Sequence, residues 1–129
     1  MNIIDHLSIG VPDIEEACLF YDGLLGALGY SQVARTDSFA AYGDGTVQFL
    51  VMIPSDGEDF SAGNGTHICF RAKTPQAVDK FHDYALSNGG RDAGAPGPRK
   101  GYPIPDIYTA FIRDPFNNKL EAIHNGFNP

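Results

Sequence analysis

Apolar and polar residues alternate from Ile3 to Val11, with Leu7, Ile9 and Val11 on one face and Ile4, His6, Ser8 and Gly10 on the other, the signature of a strand. Pro12 and Asp13 break that alternation. Apolar residues then recur at helical spacing (Ile14, Ala17, Cys18, Phe20, Tyr21, Leu24, Leu25) until Gly26 and Gly29 end the pattern. Three short β-like runs follow: Tyr30 to Arg35, Ser38 to Tyr42 and Thr46 to Ile53, the last two joined by the turn former Gly43-Asp44-Gly45. The first half therefore reads βαβββ.

The polar stretch Ser55 to Gly65 reads as an exposed connector. A strand over Thr66 to Lys73 follows, with His67, Cys69 and Arg71 on one face. Thr74 is a good helix cap and Pro75 a good first residue for a helix running to Leu86, which Gly89-Gly90 stops. Two strands, Ile107 to Arg113 and Asn118 to His124, flank the turn Asp114-Pro115-Phe116-Asn117. A shift of 61 residues carries His6 onto His67, Phe20 onto Phe81, Asp22 onto Asp83, Leu25 onto Leu86 and Gly29 onto Gly90 without a gap. The pattern predicts one α+β domain over 1-129, duplicated from two tandem βαβββ modules at about 1-54 and 66-126.

The duplication gives the histidines a meaning. His6 and His67 would occupy equivalent places and meet across a pseudo-twofold axis. Comparing the last turn of each half, Asp44 to Leu50 with Asn117 to Ile123, sets Gln48 opposite Glu121. Two imidazoles and a carboxylate suit one divalent first-row metal (iron, manganese, nickel, cobalt or zinc), and Gln48 would add a weak fourth donor. The competing reading has each histidine satisfying a local hydrogen bond and Glu121 paired with Arg71 or Arg113. A carboxylate flanked by Leu120, Ala122 and Ile123 is costly to bury without a partner in either case. Elsewhere, Phe49, Tyr108 and Phe111 belong either to the core or to an apolar pocket wall. The Gly- and Pro-rich Arg91 to Asp106 is a loop that can bring Arg99, Lys100 and Tyr102 to an anionic ligand or simply be solvated. His82, beside Asp83, reads as a surface residue, and His124 should face away from Glu121.

A formal charge of -7 argues against nucleic acid or an anionic membrane as partner and leaves a small molecule or another protein. Cys18 and Cys69 form no paired motif, no apolar run is long enough to span a membrane, and Met1 to Gly10 has no export signal; these features point to the cytoplasm. Nucleophile-elbow, P-loop, dinucleotide-binding and zincin motifs do not occur.

Asp5-His6-Leu7-Ser8-Ile9-Gly10-Val11, the helix residues Phe20-Tyr21 and Leu24-Leu25-Gly26, Gly65-Thr66-His67-Ile68, and Arg113-Asp114-Pro115 through Lys119-Leu120-Glu121-Ala122 together resemble the vicinal oxygen chelate superfamily, the glyoxalase/bleomycin-resistance/dioxygenase group. The resemblance spans nearly the whole chain. It implies paired modules forming a cupped, mostly antiparallel mixed sheet with helices on the outer face, a homodimer, and metal ligands at His6, His67 and Glu121 with Gln48 near the fourth position. It also implies a metal-dependent lyase or isomerase, or a dioxygenase, on a small oxygenated substrate, with Glu121 catalytic; the loop and strand readings above add Phe49, Arg99, Tyr102 and Tyr108 as the residues about the substrate. Glyoxalase I-like members carry a glutamate base where Gln48 stands, and an amide accepts no proton at neutral pH. The same resemblance admits a metal-independent protein of the bleomycin-resistance type that sequesters a drug or metabolite.

Overall fold

The computed structural model describes residues 3–128, so Met1, Asn2 and Pro129 of the expected domain lie outside the described residues. Its elements run β1 (Leu7–Gly10), α1 (Ile14–Gly26), β2 (Ser31–Arg35), β3 (Phe39–Gly43), β4 (Phe49–Met52), β5 (His67–Arg71), α2 (Pro75–Ser87), β6 (Arg91–Pro98), β7 (Tyr108–Arg113) and β8 (Lys119–His124). The order is βαβββ twice.

Local chemistry starts and stops both helices. The Asp13 side chain accepts from the Glu16 amide at 2.8 Å and the Thr74 hydroxyl from that of Ala77 at 3.1 Å, each satisfying a free donor of the first turn. Glu15 and Glu16 complement the positive end of α1, and Pro75 opens α2 where its missing N–H costs nothing. Gly29 (φ 90°) and Gly89 (φ 93°) turn the chain out in the left-handed region, after which the amides of Tyr30 and Gly90 return to the carbonyls of Leu25 and Ala85. The counterpart of Gly29 is thus Gly89, not Gly90. The repeat loses one residue at the end of α2.

The strands form two four-stranded sheets, ordered β1-β4-β3-β2 and β5-β8-β7-β6, with one parallel pair in each (β1 with β4, β5 with β8) and the rest antiparallel. β6 was expected to be loop. It pairs with β7 through two register irregularities, and because it is an edge strand, Pro96 and Pro98 need not donate to a second neighbour. The glycines and prolines that hide it from periodicity are those an irregular edge tolerates.

One core serves both modules. Tyr21 of α1 packs on Phe49 of β4, Phe49 on Phe70 of β5, and Phe70 on Phe81 of α2, with ring centroids 5.6, 5.1 and 6.5 Å apart. A buried polar clamp reinforces it: Asp114, in the β7-β8 turn, accepts from the Tyr21 hydroxyl, the amides of Phe116 and Asn118, and the Asn118 side chain. Asn118 also donates to the Gly10 carbonyl of β1 at 3.1 Å. Burial raises the Asp114 carboxyl above its usual range and the Tyr21 phenol well above its own. Among the described residues, no helix is long and apolar enough to cross a membrane.

Candidate metal and ligand site

The pleat of β5, β8 and β7 gathers the candidate residues of the second module. Cys69 pairs with Glu121 and His67 with Lys119 across the parallel ladder, and Phe111 faces Glu121 across the antiparallel one. These side chains therefore share the face turned away from Leu120 and Ala122, which enter the core. His67 Nε2 lies 3.1 Å from Glu121 Oε1. Thr109 Oγ1 lies 2.6 Å from Oε2 and 2.8 Å from the Ala122 carbonyl, sharing one hydrogen between two acceptors. Burial and the neighbouring Glu121 push the Cys69 thiol well above its ordinary range. Glu121 is 5% exposed, whereas the His67 side chain is 44% exposed. The site thus consists of an anchored carboxylate and an imidazole open to the cavity. The expected alternative partners, Arg71 and Arg113, form no ion pair with Glu121 among the described residues.

The first module's candidates lie elsewhere. His6 is exposed, with Nδ1 2.6 Å from Asp5 Oδ1, and among the described residues no three His, Cys, Asp or Glu side chains gather at metal-binding range. The expected meeting of His6 and His67 across an axis within one chain is therefore not made: the shared core holds the modules together through their helix-side faces. Gln48 Oε1 accepts from the Asp44 amide at 2.9 Å and closes the β3-β4 turn. The ladders also correct its correspondence. Ser8 pairs with Leu50 as Cys69 pairs with Glu121, so once His6 is set on His67, Leu50 takes the place of Glu121 and Gln48 that of Lys119.

The candidate substrate residues divide. Tyr102 lines a cavity of about 840 Å³ with His67, Cys69, Phe111, Glu121 and Phe127, its ring 5.6 Å from that of Phe127. Arg99 donates to the carbonyls of Ala95, Gly97 and Pro98, with its guanidinium 5.9 Å from the Phe111 ring centre. Phe49 is 4% exposed and belongs to the core, although its edge reaches a smaller cavity of about 290 Å³ beside Gln48. Tyr108 lies on the opposite side of β7 from Phe111 and donates to Asp79 of α2 at 2.6 Å, so it serves the helix layer. His124 also faces away from Glu121, its Nδ1 3.2 Å from the Ala72 carbonyl. His82, expected at the surface, is buried with Nε2 2.8 Å from Asp92, because α2 lays that face against β6. Sequence reasoning missed Thr109 and Lys119. The only available signal was their period-two relation to Phe111 and Glu121.

Two βαβββ modules with a buried carboxylate and an imidazole on neighbouring strands define a paired-module α+β protein with a candidate metal site. The sequence profile of the Glyoxalase/Bleomycin resistance protein/Dioxygenase superfamily matches residues 3–122, and the chain belongs to that family. A glyoxalase/bleomycin resistance protein from Albidiferax ferrireducens shares 34% identity and superposes with a TM-score of 0.89, over 96% of this chain and 100% of that one. The fold also recurs in a glyoxalase/bleomycin resistance protein/dioxygenase family enzyme from Burkholderia phytofirmans (20% identity, TM-score 0.69, 92% and 95% covered). A glyoxalase-related enzyme from Fulvimarina pelagi shares it too (14% identity, TM-score 0.73, 97% and 89% covered). No curated protein sequence matches the chain.

Proposed function

We propose that the protein is a divalent-metal-dependent enzyme of the lyase, isomerase or dioxygenase type acting on a small oxygenated substrate, with His67 and Glu121 of one copy and His6 of a second copy as metal ligands. The observation that carries this reading is the separation of 3.1 Å between His67 Nε2 and Glu121 Oε1. Two donors each about 2.1 Å from one ion, at right angles, stand about 3.0 Å apart. In the metal-free protein Nε2 donates to the carboxylate, and an ion would replace that proton. Bound there, it would polarise a substrate oxygen as a Lewis acid. Glu121 is held by Thr109, the His67 ring is exposed towards the cavity, and Gln48 completes the β3-β4 turn rather than serving as a base.

The third ligand supports a dimer. His6 adjoins β1, which pairs on one side only among the described residues; Leu7 within it (38% exposed) and Ile3 (98%) and Ile4 (56%) ahead of it present exposed apolar side chains. A second copy covering that edge would bury apolar surface and bring in the missing imidazole. Two free cysteines fit a reducing compartment such as the cytoplasm. A second reading, metal-independent capture of a drug or metabolite, draws on the aromatic cavity wall and on Leu50, which brings no donor to the position matching Glu121.

Elemental mass spectrometry of the wild type and His67→Ala after loading with iron, manganese, nickel or zinc separates the two. The enzyme reading expects near-stoichiometric metal in the wild type and its loss in the variant. A wild type that takes up none of the four metals contradicts it.

A further inference from the structure

The charge is distributed unevenly. Residues 1–54 hold one cation against seven carboxylates, whereas residues 66–126 hold eight cations against six carboxylates. Two of those cations converge on one ring of the cavity wall: Lys119 Nζ lies 5.2 Å and the Arg99 guanidinium 5.9 Å from the centre of Phe111, and the His67 ring lies 5.9 Å from it. Both cations are half-buried, and neither forms an ion pair among the described residues. Glu121, the acid nearest in the ladder, points to Thr109 and His67 and forms no ion pair with either cation among the described residues. Three backbone carbonyls fix Arg99, so its charge stays beside the Phe111 ring. Partly desolvated cations beside an aromatic face, with no counter-ion of their own, are electrostatically incomplete until an anion joins them.

We propose that the cavity takes a small organic oxyanion with a flat apolar body, its body laid against Phe111 towards Tyr102 and Phe127 and its charged group at the rim beside the Phe111 ring, where Lys119 and Arg99 stand. The point charge of Lys119, with the fixed positive charge of Arg99 beside it, suits a carboxylate, sulfonate or phosphate oxygen set. The register that pairs Lys119 with His67 places this anion subsite next to the candidate metal position. A ligand anchored there presents its remaining polar atoms to His67 and Glu121. The inference rests on reading this cavity as the ligand site, but its test does not depend on metal.

Two fluorescent probes that differ in their anionic group provide that test: 1-anilinonaphthalene-8-sulfonate and the uncharged N-phenyl-1-naphthylamine, titrated into metal-free protein at low salt. The sulfonate should bind about tenfold more tightly, and Lys119→Met should weaken it about fivefold while leaving the neutral probe within about twofold. Added salt should weaken the sulfonate alone. Equal affinity of the wild type for the two probes overturns the proposal, as does a folded Lys119→Met protein that binds the sulfonate unchanged. The wild-type comparison stands whether or not the variant folds. A wild type that loads metal but does not distinguish the probes sinks this inference alone, and one that distinguishes them but loads no metal sinks only the enzyme reading.

Discussion

Thr109 Oγ1 lies 2.6 Å from Glu121 Oε2, and the two residues are 0% and 5% exposed. β7 and β8 bring them together 12 residues apart in sequence, and the hydroxyl fixes a carboxylate that is buried beside Cys69 and Phe111 and would be costly there without a partner. Outer contacts of this kind set the direction in which a ligand oxygen points.

Thr109→Val keeps the shape and removes the hydrogen bond. It should weaken metal binding about tenfold, and Thr109→Ser should restore most of it. Competition against a chelating dye measures both, and unchanged metal affinity in Thr109→Val would assign Thr109 to packing alone.

Asp114 ties the β7-β8 turn to Tyr21 of α1. Asp114→Asn turns an amide donor toward the Tyr21 hydroxyl or the Asn118 side chain and should lower the unfolding free energy by about 1–3 kcal/mol, read by urea denaturation. The pH dependence follows from the raised carboxyl. Between the ordinary 3.8 and its higher value in the fold, the native state binds more protons than the unfolded chain, so this group's contribution rises as pH falls through the folded value. Asn cannot take up that proton, and the deficit of Asp114→Asn relative to wild type should widen on acidification. A deficit that shrinks would mean that Asp114 is stabilised as a carboxylate.

The sequence was most informative where chemistry is local and least so where it depends on register. Asp13, Thr74 and Pro75 announce the helix starts because a cap acts within one turn. The shared face of His67 and Cys69 follows from alternation within one strand. The counterpart of Glu121 could not be counted across a turn: Gln48, just ahead of β4, and Leu50 within it are two residues apart, and only the pairing of Ser8 with Leu50 decides between them. β6 was hidden because Gly94, Pro96, Gly97 and Pro98 carry no alternation. His82 was misplaced because its partner Asp92 lies on a strand that was itself missed.

The central claim, a metal site shared between two copies of the chain, is tested most directly by combining His6→Ala and His67→Ala chains. Each variant alone should hold almost no metal. A mixed dimer, isolated by two different affinity tags, contains one intact site and one doubly broken site and should bind about one metal per dimer. A mixed dimer without metal, from a wild type that loads it, would contradict the shared site, and so would full loading of either variant alone.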